Sequence, residues 1–296
     1  MELRDIEIFL VLAEELHFSR TAERLHVSPA RISQAIKKQE RMIGADLFER
    51  TSRSVRLTEV GRELQKNLHP AYRDLHESIA KARLSVQGKT SVLRIGTMNA
   101  NGYELRAFWE EFRKRHPRWG LQLRHAEFIH PFATLRSGAI DGLIAWLPIE
   151  EPDLTVGPVL FTEGRDLLVP VEHPLAQEST ATFEALSGTP VATSGTFVPE
   201  YWENEMTPFY TPRGHRLDKV VTVTTSEQVL SEIAHGVMIH AMPMHRRHFM
   251  SRPDLASVPI TDLPLLRWAL IWRSDAEDDR IRALAAVIRD LGPAAL

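Results

Sequence analysis

A group of polar and basic side chains near the N terminus has the residue types and spacing that contact DNA. Arg31, Gln34 and Lys38 recur at helical intervals and therefore share one face of a helix. Arg and Gln can donate two hydrogen bonds to a base edge in the major groove, whereas Ser and Lys mostly contact phosphate oxygens. The predicted DNA-binding residues are Ser28, Pro29, Arg31, Ser33, Gln34, Lys37, Lys38, Arg50, Arg53 and Arg56.

Short helices must position these side chains. Apolar residues at helical spacing predict a first helix over residues 3–15, and Ser19 is the predicted cap of a second helix. Ser28 is the predicted cap of a third helix, and Pro29 suits its first turn because a proline there loses no helical hydrogen bond. The tight turn between the last two helices predicts a helix-turn-helix over about residues 18–37. The alternative is a structural helical hairpin with solvated charges.

Charge is distributed unevenly along the 296 residues. Residues 1–90 contain 16 Lys and Arg against 13 Asp and Glu, a net charge of +3, and residues 91–296 contain 20 against 26, a net charge of −6. Three arginines lie in the hairpin-like stretch 47–58, which predicts a wing beside the third helix. A basic front and an acidic back indicate a polyanion-binding module joined to a domain without that role.

A long apolar stripe follows the wing. From Val60 to Val86, apolar residues recur every three or four positions, which predicts one helix of roughly 40 Å at about 1.5 Å per residue. Such a stripe packs against another helix. Packing within its own domain is the alternative to pairing with a second chain.

After residue 91 the hydrophobicity pattern changes to short apolar runs that alternate with helical segments, which predicts βα units. Helices are predicted at about 226–235 and at 281–291. The predicted strands are 92–96, 121–126, 143–146, 167–171, 191–193, 220–223, 237–239 and 268–272.

Several sequence blocks carry a resemblance to a known family. They are the run from Phe18 to Ser28, the positions Ser33, Ile36 and Glu40, and the runs 44–50 and 57–61. Together they resemble the LysR-type transcriptional regulators over about 60 residues without a gap. The sequence departs from the family pattern at Pro29, Arg31 and Gln39, where the family usually has Gln, a small residue and Leu. Two of these changes lie at the start of the recognition helix, so the resemblance implies no particular operator sequence.

The resemblance implies a fold class and a domain organisation for the whole chain. The expected fold is an N-terminal all-α winged helix-turn-helix with a long linker helix, followed by a C-terminal α/β two-lobed domain like a periplasmic binding protein. A homodimer through the linker helix, a tetramer of two dimers and binding to double-stranded DNA are implied as well. The expected ranges are 1–58 for the DNA-binding domain, 59–89 for the linker and dimerisation helix, 90–296 for the effector-binding domain, about 91–161 and 268–296 for lobe I, and about 162–267 for lobe II.

Small polar residues after the predicted strands are candidate effector contacts. In open α/β sheets, ligands bind outside the carboxyl ends of strands and near helix N-termini. Ordinary helix capping is the alternative role of each residue. The predicted effector-binding residues are Asn99, Ala100, Asn101, His130, Trp146, Thr196, Phe197, Ser226 and His240.

The sequence lacks common signatures of enzymes and of thiol chemistry. It has no Cys, which excludes thiol nucleophiles, thiolate metal sites and disulfides. It also has no GxSxG, GxGxxG, Walker A or HExxH motif. His235, His240, His245 and His248 leave open a metal site, a protonation-sensitive pocket residue at His240, or solvated and capping histidines. We predict no metal and no cofactor.

The expected function is a sequence-specific DNA-binding transcriptional regulator, not an enzyme, whose operator binding or activation is modulated by a small-molecule effector held between two α/β lobes. No apolar run approaches the roughly 18 residues of a membrane span, which predicts a cytoplasmic protein without a membrane partner. The alternative is a solute-binding or enzymatic α/β domain fused to a DNA-binding module.

Overall fold

The computed structural model of the protein describes residues 2–50, 55–86, 90–98 and 104–295. For residues 50 and 295, and for several residues after 72 in the linker helix, it describes the backbone alone. The chain divides into two units, residues 1–83 and 84–296. Among the described helices, none combines the length and the apolar character that a membrane span needs.

The N-terminal unit contains four helices and a two-stranded wing. Its elements are α1 (Leu3–Glu15), α2 (Phe18–Arg24), α3 (Pro29–Ile43), β1 (Phe48–Arg50), β2 (Val55–Leu57) and α4 (Glu59–Val86). The first three helices enclose a core that the wing completes, where the rings of Phe9 and Phe48 pack edge to face with centroids 5.6 Å apart. The predicted winged helix-turn-helix is confirmed, and α1 covers the predicted range.

Caps determine where α2 and α3 begin. The hydroxyl of Ser28 accepts a hydrogen bond from the backbone N–H of Arg31 at 3.3 Å, as predicted. The predicted cap at Ser19 is wrong, because Nδ1 of His17 accepts from the N–H of Arg20 at 3.3 Å and α2 begins one residue before the serine. An imidazole nitrogen thus supplies the acceptor that the helix N-terminus needs, and the serine lies inside the first turn.

The apolar stripe of α4 divides into two parts. Leu64, Leu68 and Tyr72 pack against the core of the N-terminal unit. Further along the helix, Leu75 and Ile79 are 40% and 45% exposed. Packing within its own domain therefore accounts for the first half of the stripe, and the second half presents apolar side chains to solvent.

The C-terminal unit alternates strands and helices. In chain order its elements are β3 (Ser91–Thr97), α5 (Arg106–Arg115), β4 (Trp119–His125), α6 (Ala133–Arg136), β5 (Gly142–Trp146), β6 (Leu154–Glu163), β7 (Arg165–Pro170), β8 (Pro190–Thr193), α7 (Glu200–Met206), β9 (Asp218–Thr222), α8 (Ser226–Ala234), β10 (His240–Pro243), β11 (Leu255–Pro259), β12 (Leu266–Arg273), α9 (Asp279–Leu291) and β13 (Ala294–Ala295).

These elements form two lobes. Lobe I surrounds a six-stranded sheet of order β13-β6-β12-β5-β3-β4, in which β3 is parallel to β4 and β5, and β12 is antiparallel to β5 and β6. Lobe II surrounds the sheets β10-β7-β11 and β8-β9. The chain enters lobe II at Gly164, between β6 and β7, and returns between β11 and β12. The predicted two-lobed α/β fold is confirmed.

β6, β11, β13 and α7 were not predicted from the sequence, and the predicted position of β10 is wrong. The strand predicted at 237–239 is wrong by about three residues, because Gly236 turns the chain after α8 with φ of +69° and β10 begins at His240. In mid-strand, β6 has Gly157 followed by a proline, and β11 has one fully buried apolar residue, Val258. Neither strand shows a clear apolar alternation in the sequence.

Arg165, the first residue of β7, joins the segments that cross between the lobes. Its side chain is 1% exposed and donates to the backbone carbonyls of Glu205, of Met206 at 3.0 Å and of Pro264 at 2.6 Å. Pro264 lies on the returning segment, and the other two carbonyls end α7. Burial lowers the pKa of Arg165 to about 10, although the charges of Glu205 and Glu163 oppose the shift, so the side chain stays charged at neutral pH.

Replacement of this side chain tests how strongly it holds the crossing. Arg165→Met removes the donors of three carbonyls, and because each buried acceptor left unpaired costs about 1–3 kcal/mol, we expect the free energy of unfolding in urea to fall by at least about 3 kcal/mol. Arg165→Lys keeps the charge and should lose less. Equal stability of the Met variant and the parent would contradict this role.

Candidate functional sites

α3 presents a polar face to solvent. Gln34 and Lys37 are exposed, Ser33 is half-buried, and Ser28 and Pro29 are exposed at the start of the helix. A helix with short and long polar side chains on its N-terminal half has the form that enters a major groove. The structure thus brings these five predicted DNA-binding residues onto one exposed end of one helix.

Arg31 and Lys38 are also held by a buried carboxylate that the sequence analysis missed. The Asp5 carboxylate on α1 is fully buried and accepts from Nζ of Lys38 at 3.0 Å and from Nη2 of Arg31 at 3.4 Å. Burial opposes ionisation of Asp5, but the hydrogen bond and charge of Lys38, with the charge of Arg31, outweigh burial and lower its pKa. The available signal was an acidic residue within the apolar stripe of α1.

The wing carries the remaining predicted DNA contacts. β1 and β2 are antiparallel, and exposed Arg56 lies opposite Glu49. Arg50 ends β1, and its side chain is not among those described. Arg53 lies outside the described residues. The structure therefore places the strands of the wing next to the helical core. The predicted DNA contacts of Arg50 and Arg53 stay predictions.

A pocket of about 630 Å³, including its opening to solvent, lies between the two lobes. Lobe I contributes Phe128 and Trp146, and lobe II contributes the rest of the lining. The lining residues are Phe128, Trp146, Ala192, Thr193, Ser194, Val198, Trp202, Glu203, Met206, Thr207, Val223, Ser226, Val229, His240, Ala241, Met242 and Pro243. A concave, mostly apolar surface with a few convergent polar groups is typical of small-molecule sites.

Two tryptophans close the inner wall of this pocket. The indoles of Trp146 and Trp202 stack with centroids 3.5 Å apart and planes 9° apart. Nε1 of Trp146 donates to the carbonyl of Trp202 at 3.1 Å, and Nε1 of Trp202 donates to the carbonyl of Trp146 at 2.9 Å. Trp146 ends β5 in lobe I and Trp202 lies on α7 in lobe II, so the pair joins the lobes.

The predicted effector residues are divided by the structure. Trp146, Ser226 and His240 line the pocket. His130 and Phe197 lie elsewhere, where they join the lobes through a backbone hydrogen bond of 3.0 Å and an edge-to-face ring contact with centroids 5.3 Å apart. Thr196 is exposed and does not line the pocket. Asn99, Ala100 and Asn101 lie outside the described residues.

The pocket contains two titratable side chains. Nδ1 of His240 is buried and has no hydrogen-bond partner among the described residues. Burial, with a smaller effect of the Lys219 charge, lowers the pKa of His240 to about 3. The Glu203 carboxylate accepts from the N–H of Ser194 at 3.2 Å and lies 3.6 Å from Nζ of Lys219. The imidazole is therefore neutral, and the carboxylate has a cationic neighbour.

The four clustered histidines have separate surroundings. Nδ1 of His235 lies 2.7 Å from the carbonyl of Ser231, and Nδ1 of His248 lies 2.7 Å from Glu104. His245 is buried, with Nδ1 2.6 Å from Oε1 of Glu163. His240 lies in the pocket. Within the described ranges, no three His, Asp or Glu side chains are grouped as metal ligands.

Two family models match this chain, one in each part. Residues 87–293 match the LysR substrate binding domain, and residues 3–62 match the bacterial regulatory helix-turn-helix of the lysR family. The chain belongs to the LysR family.

Individual LysR-type relatives span most of this chain or a large part of it. The transcriptional regulator AlsR of Bacillus subtilis is 27% identical over 95% of this chain and 93% of its own length. The uncharacterized regulator YnfL of Escherichia coli is 33% identical over 64% of each chain. Full-length CbnR, in complex with its target DNA, is 18% identical with a TM-score of 0.63, over 99% of this chain and 100% of that one, and shows the shared fold.

Gln39 is one of the three positions that depart from the family pattern described above. The side chain is 1% exposed and donates from Nε2 to the backbone carbonyl of Asp5 at 2.8 Å. Its Oε1 is buried without a partner in the described part of the chain. A leucine could not make this bond, so the contact between α1 and α3 is polar at this position.

The low pKa of His240 makes stability depend on pH. The unfolded imidazole titrates near 6.5, so below that pH the unfolded state binds more protons and the folded state loses stability as the pH falls towards 3. His240→Phe removes this loss, so its stability relative to the parent should rise by about 2 kcal/mol between about pH 7 and about pH 5. Urea unfolding at both pH values measures the change.

The control for this experiment is His235→Phe, which replaces an exposed histidine of the same lobe. We expect it to keep the pH dependence of the parent. If His240→Phe also kept it, the imidazole would not be held neutral in the pocket.

Proposed function

We propose that this transcriptional regulator reads operator DNA with the exposed end of α3. The observation that carries this proposal is the placement of Gln34 and Lys37 on the solvent face of a helix whose start is capped by Ser28. Ser33, Arg31 and Lys38 extend that face, although the last two also bind Asp5. The crystal structure of CbnR with its target DNA supports DNA as the partner. Such a partner would place the protein in the cytoplasm.

A small-molecule effector in the pocket between the lobes would modulate this activity. Ser226, His240 and Trp146 are the contacts that we retain from the predicted set, because they line the pocket. A ligand there changes DNA binding only if it has different affinities for two arrangements of the assembly. We propose no catalytic step, and the names of AlsR and YnfL as regulators support this.

The exposed half of the α4 stripe would form a homodimer, and two dimers would form a tetramer. Leu75 and Ile79 present apolar side chains one helical turn apart and have no role in the core of the N-terminal unit. Pairing of two such helices would remove both side chains from water.

Operator selection from random-sequence DNA tests the reading role. Gln34→Ala should lose about 1–3 kcal/mol on the selected operator and much less on random DNA, because it removes a contact to a base. Lys37→Ala, the matched control, should weaken binding to both DNAs and reduce the salt slope by about one, because it removes a phosphate contact. Failure to enrich any sequence, or equal losses for both variants on both DNAs, would contradict the proposal.

Charge placed in the exposed stripe tests the dimer. Leu75→Asp would bury an unpaired carboxylate between two helices, so we expect dissociation at micromolar concentration in light scattering of the full chain. Lys66→Asp is the control, since position 66 lies on the opposite side of α4 at about 100° per residue. An assembly of unchanged mass in the Leu75 variant would assign the interface to another surface.

A further inference from the structure

The electrostatic character of the pocket limits the ligands that it can accept. Glu203 is the single charged side chain among its described lining residues at neutral pH, and its carboxylate already has Lys219 and the N–H of Ser194 as neighbours. No lysine or arginine side chain belongs to that described lining. An anionic ligand would therefore find no free cation in the described lining, because the nearby Lys219 is already paired with Glu203, and a cationic ligand would compete with that lysine.

The N-terminus of α8 does not make the pocket favourable for an anionic ligand. A helix N-terminus favours anions, and Ser226 in the first turn of α8 lines the pocket. However, Glu227 lies in the same turn and is exposed, so a carboxylate already offsets the positive end of this helix. The pocket has no compensating cation for a second negative charge at this point in the described lining.

Nδ1 of His240 is the one buried side-chain nitrogen or oxygen of the described lining that has no hydrogen-bond partner. Its side chain is 9% exposed, and Nδ1 is buried with no partner in the described structure. Buried polar atoms in proteins nearly always have a partner, so a missing one calls for a bound group. Because a neutral imidazole can donate or accept at this nitrogen, a ligand with either group can complete it.

The remaining lining favours a flat apolar group. Trp146 and Phe128 contribute ring surface, with the fully buried Trp202 stacked on Trp146, and Met206 and Met242 contribute adaptable thioethers. Aromatic rings and thioethers both contact planar rings favourably.

We propose that the pocket binds an uncharged aromatic small molecule that makes one hydrogen bond to Nδ1 of His240. This inference rests on the proposed effector function and specifies its ligand class. The low pKa of His240 supports it, because the imidazole does not become a cation that could hold a carboxylate near neutral pH.

A fragment library matched for charge tests this inference on the full chain. The same aromatic rings are offered as carboxamides, carboxylates and amidines, and binding is measured by ligand-observed NMR near pH 7, with thermal shift as a second readout. We expect carboxamides to bind at least about tenfold more tightly than the matched carboxylates and amidines, which is ~1.4 kcal/mol or more. Carboxylates or amidines that bind as well as the amides, or no binding in any class, would overturn the proposal.

Variants assign the binding to the pocket. His240→Phe should weaken the bound carboxamides about tenfold or more, and His240→Gln, which keeps a neutral polar group, should retain part of the affinity. Thr196→Val, outside the pocket, should change nothing. Unchanged binding by both His240 variants would overturn the role of Nδ1, and a misfolded Phe variant leaves the Gln variant to decide.

Failure of the proposed ligand class can be distinguished from failure of the proposed DNA-binding function. Fragment binding is measured without DNA, so its failure beside successful operator selection would reject the ligand class and keep the regulator. Failed operator selection beside bound carboxamides would reject the reading role of α3 and keep the ligand class.

Discussion

The reciprocal contact between Trp146 and Trp202 is the constraint on which the effector domain depends. Each indole donates to the other residue's carbonyl, so neither lobe can shift without breaking both bonds or carrying its partner with it. Two buried hydrogen bonds at about 0.5–1.5 kcal/mol each, with a stacking contribution of similar size, exceed what an exposed ion pair supplies. The contact between His248 and Glu104 also joins the lobes, but the imidazole at this rim is exposed to solvent. The tryptophan pair therefore holds the lobes together more strongly than the contacts at their rim do.

A ligand in the pocket beside this contact would be sensitive to the arrangement of the two lobes. The crossing segments are held by buried hydrogen bonds, those of Arg165 to three carbonyls and that between His245 and Glu163, which favours a few discrete arrangements over gradual deformation. A ligand that contacts Trp146 and His240 touches both lobes at once. Its binding energy therefore depends on how the lobes are arranged, which is the physical requirement for an effector.

Local patterns predicted the elements, and long-range contacts explain what they missed. The bounds of α1, the Ser28 cap and the apolar stripe of α4 follow from spacing within a few residues. The contact between Trp146 and Trp202 joins residues 56 apart in sequence, and nothing in either local pattern indicates the other. Trp146, at the end of β5, lines the pocket because that strand end faces the other lobe. Thr196 follows a strand end in the same way, but its side chain is directed to solvent.

Long-range contacts also explain two residues of α3 that depart from the family pattern. Arg31 and Gln39 both depart from the family pattern, and both bind Asp5, one at the carboxylate and one at the carbonyl. Because Asp5 is buried on α1, these bonds fix the orientation of α3 against α1. Arg31 is thus partly committed to structure, and under the proposed function the bases would be contacted by side chains that do not bind Asp5. Gln34 is exposed on that helix, so the specificity proposed for this regulator would depend on a position that the family departures do not touch.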